Sequence, residues 1–465
     1  MPKNKKKQTR PKGARSSQRL ARRLQGLFAK TSVDATRITV LHLPNELQNT
    51  IFGDLGKSDL KNTRLVCHHW ASLAVNFLFD TVYVSANKKD LDVFRMVSEH
   101  DTICQAVSRL VYDVTSFSHV TSLEHYFTVF KSNMCEAFSL SGVPRIIFRH
   151  PTTAFHSLIN RLSMSRNPRG LLLHEYMNDD YILKGYQTWQ SYARFEDYSM
   201  HGLLAGSLTS GLSRLNKLHS VAMVSNIFRI NLRETRYMDQ DTLYCDYSGS
   251  PLCRSWNPLH ARPDDTDISG RIKDHFRNLI IALDRSPSPI KELSLFEDRS
   301  PVWRRDDGGL PRAVLQNLRR PERSRSCSLA FKACRWLQSF SLRAEPPFGN
   351  SYKNPMILGI LPELLKEMKI LKHLHLDLSG QIYQYFARYI YKNVFSESSV
   401  WPQLETLSIF ALAFEYDEFV HLTSNQSPNL RRLEIRQINL LSGTWEDADN
   451  ALPSRVAVKR IPYWP

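Results

Sequence analysis

The sequence lacks the features of a membrane or secreted protein. No apolar run approaches the roughly 20 residues of a transmembrane helix, and the N-terminus has no apolar core like that of a secretory signal. Hydrophobic residues make up 42% of the 465 positions. We therefore expect a soluble globular protein that is long enough for more than one structural unit.

Cysteine is scarce and shows no pattern. None of the cysteines forms the close pair of a zinc site, and the nearest pairs are Cys245/Cys253 and Cys327/Cys334. The seven positions are 67, 104, 135, 245, 253, 327 and 334. An odd, scattered set favours reduced thiols in a cytosolic or nuclear protein, and we predict no metal site.

Signatures of catalysis are also missing. The sequence has no Gly-rich phosphate loop, no H-E-x-x-H and no G-x-S-x-G. His68-His69 and His174-Glu175 are isolated pairs, which sixteen histidines in a chain of this length produce by chance. We therefore predict a protein without catalytic residues and without a bound cofactor.

Positive charge is concentrated at the N-terminus. The net charge is +17, but residues 1–33 hold eleven Lys and Arg and no acid, so +6 remains on the other 432 residues. We predict a disordered basic tail over residues 1–37. Lys5, Lys6, Lys7, Arg22 and Arg23 could serve nuclear targeting or contact nucleic-acid phosphates. Two other interpretations remain: a solvated tail without a partner, and a basic amphipathic helix that binds a membrane or serves as a mitochondrial presequence.

One stretch near the N-terminus predicts three short helices. Leu47, Ile51 and Leu55 share one face of the first helix, which would begin at Pro44 and end within residues 53–56. Glycines in that last stretch would supply a left-handed turn.

The second helix is predicted to begin with an N-cap at Ser58. The third is predicted to run from Cys67 to Leu78. None of the three is long enough to be stable alone in water, so they must pack together. A unit of about forty residues cannot cover all of its large apolar side chains. Those in question are Leu43, Pro44, Leu47, Phe52 and Trp70. We therefore predict a docking module.

This stretch resembles the F-box. The family pattern reads Leu-Pro-x-Glu-Leu, then Ile-Phe and a leucine, then Asp-Leu, then Arg-x-Val-Cys and a tryptophan. The chain fills it with Leu43-Pro44-Asn45-Glu46-Leu47, Ile51-Phe52, Leu55, Asp59-Leu60, Arg64, Val66-Cys67 and Trp70. It departs at His68, where the family usually has Lys or Arg. An ordinary helical hairpin that caps the chain is the alternative.

The resemblance implies that this segment binds the Skp-type adaptor of a cullin–RING ubiquitin ligase. It assigns ten positions to the core of the module and its adaptor face. They are Leu43, Pro44, Glu46, Leu47, Ile51, Phe52, Leu55, Leu60, Val66 and Trp70.

An apolar pattern of the form L-x-x-L-x-L recurs through the rest of the chain. It begins at Val107, Leu218, Ile290, Leu337, Leu371, Leu404 and Leu430. The last four starts are 34, 33 and 26 residues apart, with helical stretches between them, the last of which is predicted at 414–423. We predict an α/β solenoid, an irregular leucine-rich-repeat-like β–α array in which alternate strand residues point inward. A mixed α/β domain whose strands merely look alike is the alternative.

These patterns divide the chain into a tail at 1–37, an F-box at 38–80 and a repeat-like domain at 81–465. Residues 247–270 and 299–326 are rich in Pro, Gly, Ser, Asp and Arg, and we predict long surface loops there.

The order of an F-box and then a repeat-like domain resembles the F-box proteins of fungi. It implies a substrate-recognition subunit of a Skp–cullin–F-box ligase in the nucleus or cytoplasm, which promotes ubiquitination and proteasomal degradation of a bound protein. The alternative is a ligase-independent scaffold, or a nucleic-acid-associated protein that uses the basic tail.

Overall fold

The computed structural model describes residues 43–114, 122–126, 180–224, 266–295, 332–343, 361–377, 395, 400–410, 412–436 and 438–461. The basic tail, the predicted loop at 299–326 and residues 247–265 of the other loop lie outside the described residues. The chain divides into two compact units, Met1–Leu78 and Phe79–Pro465.

The first unit contains the three predicted helices within residues 43–78: α1 at Asn45–Asp54, α2 at Lys57–Thr63 and α3 at His68–Leu78. The predicted helix ends were wrong in detail. Pro44 is the extended N-cap of α1, with ψ of 149°, and Gly56 caps α2, so Ser58 lies inside the helix. The backbone leaves α1 through an extended Leu55 without a left-handed glycine.

A small aromatic core holds this unit together. The Phe52 ring lies edge-on to Trp70, with centroids 5.6 Å apart, and 6.3 Å from the Phe77 ring. Such aromatic pairs contribute about 0.5–1.5 kcal/mol beyond the burial of their area.

A lysine side chain caps the C-terminal end of α3. Lys57 Nζ donates to the carbonyls of Phe77 and Leu78. A cation there favours the helix because the C-terminal carbonyls carry partial negative charge.

The second unit alternates strands and helices. Its described strands are β1 Thr81–Ser85, β2 Arg109–Asp113, β3 Ser220–Val224, β4 Glu292–Leu295, β5 Ser339–Arg343, β6 His373–Asp377, β7 Thr406–Phe410, β8 Ala413–Phe414, β9 Arg432–Arg436, β10 Asn439–Leu440 and β11 Ala457–Ile461. Its described helices are α4 Lys88–Glu99, α5 Asp180–Tyr198, α6 Leu204–Leu212, α7 Thr266–Asp284, α8 Leu361–Glu367, α9 Tyr416–Val420 and α10 Trp445–Ala451. π-Helical turns at Ser199–Leu203 and His421–Gln426 follow α5 and α9.

Nine of the described strands form one parallel sheet, in which neighbours in space follow the order of the chain. The order is β1-β2-β3-β4-β5-β6-β7-β9-β11, while β8 and β10 pair separately. Each of the seven recurring apolar patterns coincides with one strand of this sheet. The second positions of the patterns stand in register across the sheet. We call this row the apolar ladder; it comprises Leu110, Val221, Leu293, Phe340, Leu374, Leu407 and Leu433.

The apolar ladder is closed to solvent, since none of its side chains is more than 3% exposed. The third positions of the pattern are equally buried, as expected for a strand whose alternate residues face one core. Helices pack on this side of the sheet. A Cβ at Gly211 of α6 would lie 2.5 Å from the ring of Phe94 of α4, so the two helices approach closely only because residue 211 is glycine.

Two buried polar groups are satisfied within this core. The Tyr112 hydroxyl lies 2.6 Å from Nδ1 of His275, and the Trp401 indole donates to the Leu365 carbonyl at 3.0 Å. Burial, the main cause, and the neighbouring Asp113 charge raise the pKa of Tyr112 well above its usual value, so the phenol stays protonated.

Three elements differ from the sequence prediction. Residues 266–270 begin helix α7, although we expected the loop to continue to residue 270. The predicted helix at 414–423 begins only at Tyr416, behind the short strand β8. Strand β11 was not predicted, because its sequence AVKRI places Arg460 where the other strands have an apolar residue. The Arg460 guanidinium stacks 4.6 Å from the centroid of the Trp445 ring and pairs with Asp449.

Candidate functional site

Helix α1 buries a different face from the one that its apolar periodicity indicates. Gln48 and Phe52 are each 1% exposed and form the inner face. Leu47 is 52% exposed, and Ile51 and Leu55 are half-buried. The stripe that the sequence marks as apolar is therefore the partly open side of the helix.

The turn between α2 and α3 also presents apolar side chains to solvent. Leu65 is 77% exposed and Val66 is 61% exposed. Their backbones are held, because their N–H groups donate to the carbonyls of Asn62 and Thr63 at 3.0 and 3.1 Å. A turn with a fixed backbone thus holds two large aliphatic groups in water, which costs free energy unless another surface covers them.

The ten predicted adaptor-binding residues fall into three classes of burial. Phe52 and Leu60 are buried and belong to the core. Leu43, Ile51, Leu55 and Trp70 are half-buried, and Pro44, Glu46, Leu47 and Val66 are exposed. We call Pro44, Leu47, Leu65 and Val66 the exposed apolar set.

A buried glutamine connects the start of α1 to α3. Gln48 Nε2 donates to the Leu43 carbonyl at 2.7 Å, and Gln48 Oε1 accepts from the Trp70 indole N–H at 3.1 Å. Both ends of the amide are therefore satisfied, as a buried polar side chain requires. The Trp70 backbone N–H in turn lies 3.5 Å from Cys67 Sγ.

Sequence reasoning missed two residues of this unit. Leu65 occupies an unpatterned position, and only its place beside Val66 in a non-helical link could have indicated exposure. Gln48 is polar, so hydropathy placed it outside the core; its spacing of four residues from Phe52 was the available signal.

The second unit carries a polar surface on the sheet face opposite the apolar ladder. Alternate strand residues place His375, Ser408 and Glu434 side by side on β6, β7 and β9. The Phe410 ring lies 4.9 Å from the His375 ring and 4.6 Å from the Arg436 guanidinium, measured at its centroid. On strands β2 and β3 the same face is instead a small apolar cluster of Val111, Ala222 and Val224.

Charges on this polar face are paired. Arg343 and Asp377 lie 3.8 Å apart, and Glu434 Oε1 accepts from Arg436 at 2.9 Å and from Lys459 at 3.4 Å. Burial by itself would raise the pKa of Glu434, but the hydrogen bonds and positive charges of Arg436 and Lys459 outweigh it and lower that pKa. The Glu434 carboxylate therefore remains ionised at neutral pH.

Within the described part of the chain, no three His, Cys, Asp or Glu side chains come together in a group that could hold a metal ion. Helices long and apolar enough to cross a membrane are likewise absent from the described residues.

Comparison with known families assigns the first unit. Residues 40–85 match the family described as F-box-like, which covers all three helices and extends through strand β1. No curated protein matches the chain. The chain therefore contains an F-box-like domain near its N-terminus.

Proposed function

We propose that this chain is the substrate-recognition subunit of a Skp–cullin–F-box ubiquitin ligase. The observation that carries the proposal is the exposed apolar set on a unit that matches the F-box-like family over residues 40–85. F-box domains typically bind Skp-type adaptors, and exposed aliphatic groups on a fixed backbone suit such a partner.

The free energy available from docking is substantial. Fully burying one Val or Leu side chain contributes about 1.5–3 kcal/mol. Leu47, Leu65 and Val66 are each more than half exposed, so covering the exposed part of each contributes roughly half or more of that amount. Association also costs translational and rotational freedom, so all three are needed rather than one.

In this proposal the second unit holds the protein substrate as a leucine-rich-repeat-like array, in the arrangement of fungal F-box proteins. The parallel strands in chain order and the apolar ladder support the repeat interpretation. The polar sheet face around His375, Phe410 and Arg436 is the proposed substrate surface, because it offers an aromatic ring and polar groups at half-buried positions.

The chain itself makes no bond in this scheme. It holds a substrate lysine near the ubiquitin-carrying enzyme of the ligase, which raises the local concentration of the two reactants. Ubiquitination and degradation of the bound protein would follow, in the nucleus or the cytoplasm.

The proposal is tested by co-purification of the full chain with a Skp-type adaptor. We expect Leu43→Ala combined with Pro44→Ala to abolish the complex while the second unit keeps its unfolding transition. Binding of this double variant at wild-type strength would contradict the assignment of the adaptor surface.

The basic tail supports the second candidate, a scaffold or nucleic-acid-associated protein, since residues 1–33 hold eleven cations and no acid. Deleting residues 1–33 separates the two candidates. In the ligase proposal this deletion removes binding to polyanions and leaves adaptor binding intact; in the alternative, the protein loses its main interaction.

A further inference from the structure

The start of the F-box unit is held by one polar side chain inside an otherwise apolar core. Gln48 is 1% exposed on the inner face of α1, four residues before Phe52. An apolar residue would satisfy the packing at this position, so the amide requires a reason beyond burial.

The geometry of the amide supplies that reason. Its N–H donates to the carbonyl of Leu43 at 2.7 Å, and its oxygen accepts the indole N–H of Trp70 at 3.1 Å. Gln48 thus bridges the residue before Pro44 on one side and helix α3 on the other. Leu43 and Trp70 are 5 and 22 positions from Gln48 in the sequence, respectively.

Among the described residues, the Leu43–Pro44 segment has few other hydrogen bonds that fix its position. Pro44 has no backbone N–H to donate, and as the N-cap of α1 it makes no side-chain cap hydrogen bond. The Pro44 carbonyl accepts the ordinary first-turn hydrogen bonds from Leu47 and Gln48, which fix α1 but not the chain before it. The Leu43 carbonyl is therefore a point at which a side chain can fix Leu43 relative to helix α1.

We infer that Gln48 is the positioning residue of the adaptor surface: it fixes Leu43–Pro44 beside Trp70 before the partner arrives. This inference rests on the proposed function. A surface that is already ordered binds more tightly, because less conformational freedom is lost on association.

The test uses the full chain, a purified Skp-type adaptor and titration calorimetry at a temperature where every variant is folded. Gln48→Leu removes both hydrogen bonds, so Leu43–Pro44 is no longer held before the partner arrives and the adaptor affinity should fall about tenfold. Leu78→Ala, which truncates a buried side chain at the end of α3, is the control and should change affinity by less than about twofold.

Gln48→Glu distinguishes positioning from general stability. Burial and the facing Leu43 carbonyl favour the protonated carboxyl, which can donate as the amide does; once ionised, the carboxylate accepts from Trp70 but cannot donate to the Leu43 carbonyl, so affinity should fall as the pH is raised. Protonation restores a donor of the same shape, and affinity should return toward the wild-type value as the pH is lowered. The indole N–H resonance of Trp70, assigned with Trp70→Phe, should shift in Gln48→Leu and not in Leu78→Ala.

Two results would overturn the inference. If the wild-type chain binds the adaptor and Gln48→Leu binds equally well, or loses no more affinity than Leu78→Ala, Gln48 has no positioning role while the proposed function stands. If the wild-type chain does not bind the adaptor, the proposed function and this inference fail together.

Discussion

The apolar ladder of the second unit and the exposed apolar set of the first lie at opposite extremes of burial. In the second unit the apolar ladder runs through seven strands and no member is more than 3% exposed. In the first unit Leu47, Leu65 and Val66 are 52%, 77% and 61% exposed. The difference follows from size, because three short helices enclose too little volume to cover their own apolar surface.

This comparison separates residues for folding from residues for binding. Truncating the ladder should cost stability, whereas truncating the exposed apolar set should cost binding alone.

Leu407→Ala should give the largest loss. Leu407 is fully buried in the middle of the ladder, between Leu374 and Leu433, and removing it leaves a cavity. We expect about 2–5 kcal/mol less free energy of unfolding in the second unit, measured with denaturant. The control is His375→Ala on the opposite sheet face, and an equal loss there would show that the two faces are not distinct.

Leu65→Ser combined with Val66→Ser should weaken adaptor binding at least about tenfold, because this removes aliphatic area worth more than 1.4 kcal/mol when buried. The unfolding transition should stay where it is, since both side chains already lie in solvent. The matched control is Met96→Ser on α4, which is 71% exposed in the second unit and should bind normally. Equal weakening by both substitutions would remove the case for a specific site.

Glu434→Gln should produce the smallest effect. The folded-state pKa of Glu434 is lower than its unfolded value, so this carboxylate stabilises the fold above the unfolded pKa and loses that contribution as the pH falls through the folded pKa. We expect the variant to be less stable by under about 1 kcal/mol at neutral pH, since the pair is partly exposed. The difference from wild type should vanish in acid; a difference that persists there would point to packing instead.

Much of the fold could be predicted because the signals are local. The L-x-x-L-x-L patterns mark strands directly, since alternate residues on a strand share one face. The three N-terminal helices follow in the same way from apolar spacing and short connections. Strand β11 was not predicted because Arg460 is accommodated by stacking on Trp445. These two residues are too far apart in the sequence for a short apolar pattern to contain both.

The candidate site was predictable in location but not in orientation. The apolar periodicity places Leu47, Ile51 and Leu55 on one face of helix α1. It does not show whether that face packs in the core or is exposed to solvent. The answer depends on Gln48, whose amide is satisfied only after Leu43 and Trp70 have come together in the folded unit. The hydropathy pattern of the sequence does not identify a polar residue that is buried because its hydrogen bonds are satisfied only in the tertiary structure.

The most direct test of the account is hydrogen exchange on the full chain with and without a purified Skp-type adaptor. We expect added protection within residues 43–78, strongest at the backbone amides around Leu65 and Val66, with the strands of the second unit unchanged. Binding that leaves residues 43–78 unprotected, or no binding at all, would contradict the claim that the exposed apolar set is the adaptor surface.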